Sequence, residues 1–352
     1  MPYITGYDYM LAHRCGDLFA FSTKEPGVVT EVSAKHLSIT YASGQRVAVE
    51  LGRRFGVVAG KNVPHQVVTD VKVGQRFEKN AVLAWNSDFF QRDRFYPDQV
   101  RYKAGLLVRY AIVDTNDTFE DSSAITTKTS KQMSTKLTKK KTFILKADQK
   151  ISHLIREGST VAADDVIAVI EDPITAQTDL FNETTADLLK EMGARTQLAT
   201  VDGVVEQIEV LYRCDLEDMS ESIREVVTRA DRQRAKLAKQ LGRGDAPTGQ
   251  VLDRVRVNGR PLELNNIAVT VYITYTLPMV AGDKHVAGHQ LKSVPGRVIE
   301  GDLRTESGVE LGGFFAHMSI FNRIVMSVYK LGTTNALIDA GSREVARIYF
   351  EE

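Results

Sequence analysis

Gly282-Asp283-Lys284-His285-Val286-Ala287-Gly288-His289-Gln290-Leu291-Lys292-Ser293 is the stretch on which the reading of this chain turns. It follows residues 267–277, whose β-branched residues and tyrosines favour an extended chain. Gly282 and Gly288 permit tight turns and close approach of the backbone to another body. The expectation is a loop on a sheet scaffold that presents Lys284 and Lys292, with His285 and His289 between them. Lysines at strand ends suit the holding of phosphates as point charges. A Gly-Asp-Lys tripeptide carries little information alone, and a solvated loop lysine is the commoner outcome. The rest of the chain has to support the reading.

Upstream, residues 106–113 are apolar except for Arg109 and Tyr110 and predict a largely buried strand. The loop that follows holds Asp114, Asp117, Glu120 and Asp121, whose charges repel unless solvent, lysines or a metal compensates. It reads either as a solvated loop with Asx turns or as one that sets Glu120 and Asp121 beside a metal-bound triphosphate, through water. Downstream, Gly312-Gly313 loosens the chain before a helix expected from about residue 319 to 331. Arg323 at its head reads as a carboxylate or phosphate clamp, or as a surface residue whose stem snorkels.

Between these segments, short strands are expected at 28–32, 37–41 and 46–51, with Ser43-Gly44 as a turn, and again from 65 to 85. Trp85, Phe89, Phe90, Phe95 and Tyr96 form either a packed edge or a stacking platform for bases. The lysines from Lys128 to Lys150 predict an exposed or mobile basic loop. Residues 157–171 and 201–212 read as strands of a small β-barrel. The clearest helix is 215–241, with an apolar stripe at 3–4 spacing, acids in its first turns, Lys236 and Lys239 near its end, and Gly242 to stop it.

Composition sets wider bounds. At 352 residues the chain can build more than one domain, and 43% hydrophobic with 26% charged residues describes an ordinary globular protein. Lys plus Arg balances Asp plus Glu at 45 each, so net charge does not announce nucleic acid, whereas the lysine block followed by an acidic stretch fits a part of an assembly. Cys15 and Cys214 supply neither a zinc cluster nor a disulfide framework and lean toward a reducing compartment. No leader-like start and no apolar run of membrane-span length occurs, which predicts a soluble protein. Walker loops, zinc-ligand spacing and dinucleotide fingerprints are absent, and nothing marks an activated nucleophile.

Three motifs in order then carry a resemblance. The chain resembles the C-terminal part of the β (second-largest) subunit of multisubunit DNA-directed RNA polymerases. That family has GDK-x-A-G-R-H-G-x-K-G, in which Lys284, His289 and Lys292 match; N-F-E-D-S, here Thr118-Phe119-Glu120-Asp121-Ser122; and P-H-S-x-P-S-R-M, of which Ser319 and Arg323 match. Thr118 replaces asparagine, His317, Phe321 and Asn322 replace the downstream prolines and serine, and the lysine loop departs at six positions from Val286 to Ser293. The likeness runs from about residue 10 to residue 330. The length suits a split β subunit of the kind encoded by giant tailed bacteriophages.

The resemblance implies a mostly β, α+β fold: a six-stranded double-psi β-barrel with a wall/flap-like small-barrel region. It divides the chain into a β-rich first part, 1–150, a wall/flap-like region, 151–260, and a second part of the barrel, 261–352. It implies nucleotidyl transfer, with Lys284 and Lys292 close to the RNA 3′ end, Glu120 and Asp121 facing the triphosphate, and Arg323 on the nucleic-acid side. Asp121 would reach a second Mg2+ through water, the principal Mg2+ being held by an aspartate triad on another subunit. His289 would position the lysine loop. Implied partners are largest-subunit (β′-like) fragments, an N-terminal β fragment, template DNA, RNA, nucleoside triphosphates and a promoter-recognition factor, in the host cytoplasm or the virion. Two other classes compete: a non-catalytic nucleic-acid-binding or virion structural protein with this fold, which would tolerate loss of the four charged site residues, and an autonomous small-barrel carrier.

Overall fold

In the computed structural model, residues 6–93, 95–103, 105–173, 194–244, 247–252, 255–257, 259–288 and 291–351 are described. The chain is mixed α and β, mostly strands. It divides into two compact units, each assembled from separated segments: Tyr9–Tyr102 with Lys136–Tyr275, and Lys103–Thr135 with Thr276–Glu352 and the first eight residues.

Among the described residues, the larger unit packs its strands around four apolar clusters. Val29, Leu37, Ile39 and Leu51 centre one of them, on the meander of Gly27–Val32, His36–Tyr41 and Arg46–Glu50. Alternation of buried and solvated positions on these strands follows the period of two that the sequence displays. Gly44 turns the chain at φ +85°, as expected of the Ser43-Gly44 step. The helix Glu221–Gln240 follows a short 3-10 turn, Leu216–Asp218, and buries Ile223, Val227 and Ala238. Gly242, at φ +66°, ends it close to the expected place.

Several expectations are corrected here. The lysine block is not a loop: Thr127–Gln132 is a helical turn and Thr135–Lys146 a twelve-residue strand. Leu137, Phe143 and Leu145 bury on that strand, while Thr138 and Thr142 bond to Thr274 and Thr270 at 3.1 and 2.9 Å. These anchors suffice because a strand needs only part of one face to pack: Lys136, Lys140 and Lys146 alternate with Leu137, Phe143 and Leu145, and Lys139 and Lys141 stay exposed or half-buried between the anchors. The aromatic group divides. Trp85 and Phe90 lie in the core, with Arg92 4.3 Å above the indole ring, whereas Phe95 and Tyr96 are exposed. Residues 201–212 hold one long strand, Gly203–Tyr212.

In the smaller unit we label five strands: β1 (Tyr110–Ile112), β2 (Ser122–Thr126), β3 (His285–Ala287), β4 (Leu291–Ile299) and β5 (Gly313–Phe315). They pair in the order β1-β5-β2-β4-β3, an open path among the described residues. β1 runs parallel to β5 and β2 parallel to β4, while β2/β5 and β3/β4 are antiparallel. Residues 106–113 are not a buried strand. Only three of them join the sheet, at its outer edge, and Leu106 and Leu107 are exposed because one neighbour cannot cover them.

The expected 319–331 helix is also two helices, His317–Asn322 and Ser327–Glu351. Ile324 breaks it in the left-handed region, φ +54°, where a β-branched residue is strained. Gly312 and Gly313 do not loosen the chain. A Cβ on Gly313 would stand 2.2 Å from the Ala124 carbonyl oxygen, and one on Gly312 would stand 2.2 Å from Val108 Cγ1. Both glycines serve close approach within the unit. A small core of Leu291, Phe315 and Ile320, flanked by Tyr110, Val325, Val328 and Tyr329, lies beneath this sheet.

Candidate functional site

The acidic turn is built from its threonines. Thr118 is buried; its hydroxyl donates to the Val113 carbonyl at 2.9 Å and accepts the Thr115 N–H at 2.7 Å. That anchors the turn where the polymerase motif has asparagine. A hydroxyl and an amide both close such turns, since each offers an acceptor to a nearby N–H. The chain then exposes Phe119, passes Glu120 in the left-handed region at φ +50°, and enters β2 after Asp121.

Asp121 is the meeting point. Its carbonyl oxygen accepts the Val294 N–H at 3.1 Å and the Ser293 hydroxyl at 2.7 Å, both from β4. Its Oδ2 accepts from the Arg323 guanidinium at 2.6 Å. Arg323 is the C-cap of His317–Asn322, immediately before the strained Ile324. Segments separated by 172 and 202 residues in sequence therefore converge on one residue. The ion pair is about half exposed, 40% and 56%, so it contributes only about 0–1 kcal/mol to stability. Its content is positional.

β3 and β4 form a hairpin in which Val286 pairs with Lys292 and His285 with Ser293. Opposed residues of an antiparallel pair share a face, and the faces alternate. His285, Leu291 and Ser293 are buried, while Val286 and Lys292 are exposed. Lys284, also exposed, lies immediately before β3. The two lysines expected to act together are thus both exposed at the hairpin, and no ion pair engages either among the described residues. Asp283 serves the turn instead, since its carboxylate accepts the Val280 N–H at 2.9 Å and closes the chain at Gly282, φ +93°.

His289 lies outside the described residues. His285 is the histidine that the structure sets beneath the hairpin, 8% exposed, with neither ring nitrogen hydrogen-bonded among the described residues. Burial pushes its pKa below the ordinary value of 6.5. The unfolded chain therefore takes up the proton first as pH falls, so the stability this neutral ring contributes is complete above 6.5 and is lost as pH falls toward the folded-state value. His285→Leu should flatten that acid-side loss. We expect the urea midpoint of the wild type to drop more between pH 7.5 and 5.5 than that of the variant, and equal drops would rule out the assignment.

Sequence reasoning selected Glu120, Asp121, Lys284, Lys292 and Arg323, and all five fall within the smaller unit. It missed Ser293 and Thr118 as the positioning residues; the Thr-x-x-Thr spacing at 115–118 was the only available signal for the second. Among the described residues no three acidic, histidine or cysteine side chains converge as a metal cluster. Asp121, with one oxygen on Arg323, suits contact with a metal through water better than direct chelation. No helix among the described residues is long and apolar enough to cross a membrane. No family model matches the chain, and no curated protein is significantly similar to it.

Proposed function

We propose that this chain is the C-terminal β-subunit component of a multisubunit DNA-directed RNA polymerase, a split subunit of the giant-bacteriophage kind. In this reading it completes a nucleotidyl-transfer centre in trans. The observation that carries the reading is the convergence on Asp121. The acidic turn, the lysine hairpin and Arg323 match three polymerase motifs in order, and Asp121 contacts both Ser293, next to Lys292, and Arg323. The two parallel strand pairs in one small sheet are also what a barrel with crossed strands requires, and the double-psi barrel belongs to this proposal.

Lys284 and Lys292, outward and unpaired, would hold the phosphates of the RNA 3′ end and offset the charge that develops as the 3′-hydroxyl attacks the α-phosphate. Arg323 would present its fork to phosphate oxygens while holding the Asp121 carboxylate in place. Glu120, at the strained tip of the turn, and Asp121 would face the triphosphate. Mg2+, held chiefly by the largest subunit, would supply charge neutralisation at the phosphates. His285 packs under the hairpin and fixes the height at which the lysines stand.

The test is recovery of partners. A tagged copy of this chain, expressed in its native setting and purified gently, should bring down largest-subunit fragments with an aspartate triad and an N-terminal β fragment. The recovered complex should extend an RNA primer on a DNA template. Recovery of the chain as a monomer, or in a particle shell without primer extension, would overturn the proposal.

A further inference from the structure

The helix Ser327–Glu351, in the smaller unit, is in contact with that unit only over its first half. One stripe of it packs: Val328, Leu331, Asn335 and Asp339 are half-buried, and Asp339 accepts from Arg109, the residue before β1. From Ala340 to Phe350 every residue is exposed. A helical stretch of about three turns is marginal in water unless an apolar face of it is buried. This stretch has such a face, and it is not the one that packs.

At about 100° per residue, Leu337, Ile338, Gly341, Val345, Ile348 and Tyr349 fall within an arc of about 120°. Between the first and the last of them the arc carries no charge. Its five large side chains are 43–78% exposed. Charges stand elsewhere on the helix and are answered there: Arg343 pairs with Asp339 at 2.8 Å and Arg347 with Glu344 at 2.7 Å. An apolar strip whose flanking charges are already paired within the helix fits another apolar surface, not a polyanion.

We propose that this strip pairs with the same strip of a second copy of the chain, as two antiparallel helices. The strip is complementary to itself about a two-fold axis near Gly341. Such an axis sets Leu337 level with the second copy's Val345, and Thr334 level with its Ile348, so that larger side chains meet smaller ones. Gly341 has nothing within 4 Å of an added carbon, and helices packed about 8–10 Å apart would accept alanine there as readily as glycine. Antiparallel order sends the two folded units to opposite ends and opposes the helix dipoles, whereas parallel order would crowd both units at one end. A helix pair about 21 Å long removes roughly 1,000 Å² from water, the low end for a specific interface, so the Kd should be on the order of micromolar. The inference does not rest on the polymerase reading.

Sedimentation velocity of the full chain between about 1 and 100 μM, a range that spans the expected Kd, tests it. The wild-type mass should rise from one copy toward two. Leu337→Asp/Val345→Asp should pair at least about tenfold more weakly, because two charges would enter the seam of each helix. Ala336→Asp/Ala346→Asp adds the same charge on the other side of the helix and should stay within about twofold of wild type. All four positions are exposed, so the far-UV signal should report a folded chain in both variants. In a Cys15→Ser/Cys214→Ala background, nitroxides on Lys330→Cys should lie about 35 Å apart across the pair, against about 10–20 Å for parallel helices. A wild type that stays monomeric to the top of the range, equal pairing by the two double variants, or a short nitroxide distance would each overturn the inference. So would a monomer that binds neutral phosphatidylcholine vesicles through the strip, since a lipid surface would then be its occupant.

Discussion

Replacing Gly313 with alanine should destabilise the unit that carries the lysine hairpin by about 3 kcal/mol, at the upper end of what a small-to-large core change costs. Gly313 pairs with both Tyr110 in β1 and Ile125 in β2, on a strand held between two neighbours. An added Cβ would lie 2.2 Å from the Ala124 carbonyl oxygen and 3.1 Å from the Ile125 Cα, both backbone atoms of a strand that is itself hydrogen-bonded on its other edge to β4. No rotamer change can relieve such a contact, so the strands must part. Parting β2 from β5 shifts the segment that delivers Asp121, and the site should lose its geometry with its stability. Gly341→Ala is the matched control. That glycine lies in the helix Ser327–Glu351 with nothing within 4 Å of the added carbon, and the change should be neutral or stabilising by about 0.5–1 kcal/mol. Urea denaturation followed by far-UV signal compares the two. A Gly313→Ala protein with a wild-type midpoint would show that the strands do not approach as described.

The second large effect is on chemistry and leaves stability untouched. In the polymerase assembly proposed above, Lys284→Ala/Lys292→Ala should slow nucleotide addition by about 10²–10³-fold, the range seen when one preorganised charge-stabilising group is removed from an enzyme. Both side chains are exposed, so the unfolding midpoint of the isolated chain should change by no more than about 0.5 kcal/mol. Single-turnover extension of an RNA primer, at saturating nucleotide, separates a slow bond-forming step from weak binding. Lys284→Arg/Lys292→Arg should recover part of the rate, since it restores charge but not the compact ammonium geometry. Wild-type elongation by the double alanine variant would remove the central support for catalysis.

These expectations differ in how far the sequence alone could reach. The helix at Glu221–Gln240, the meander from Gly27 to Glu50 and the strand Asn266–Leu277 were legible because each carries its own period and its own stop signals. Glu120, Asp121, Lys284, Lys292 and Arg323 were selected on a different ground, the order of motifs along the chain, and the structure places all five in the smaller unit. The strand at Thr135–Lys146 was not legible. Its lysines outnumber its apolar residues, and the threonines that tie it to Thr270 and Thr274 announce nothing by themselves.

What the sequence determined by itself was therefore local: periodicity, turn chemistry, and which charges sit within a few residues of which glycines. What only the tertiary structure decided was adjacency across 172 and 202 residues, and with it the pairing of Arg323 to Asp121, the pairing of Val286 with Lys292 in the hairpin, and the burial of His285. Strand register, which sets every one of these, depends on which edges meet. That choice is made by the summed packing of the sheet and is written in no single stretch of it.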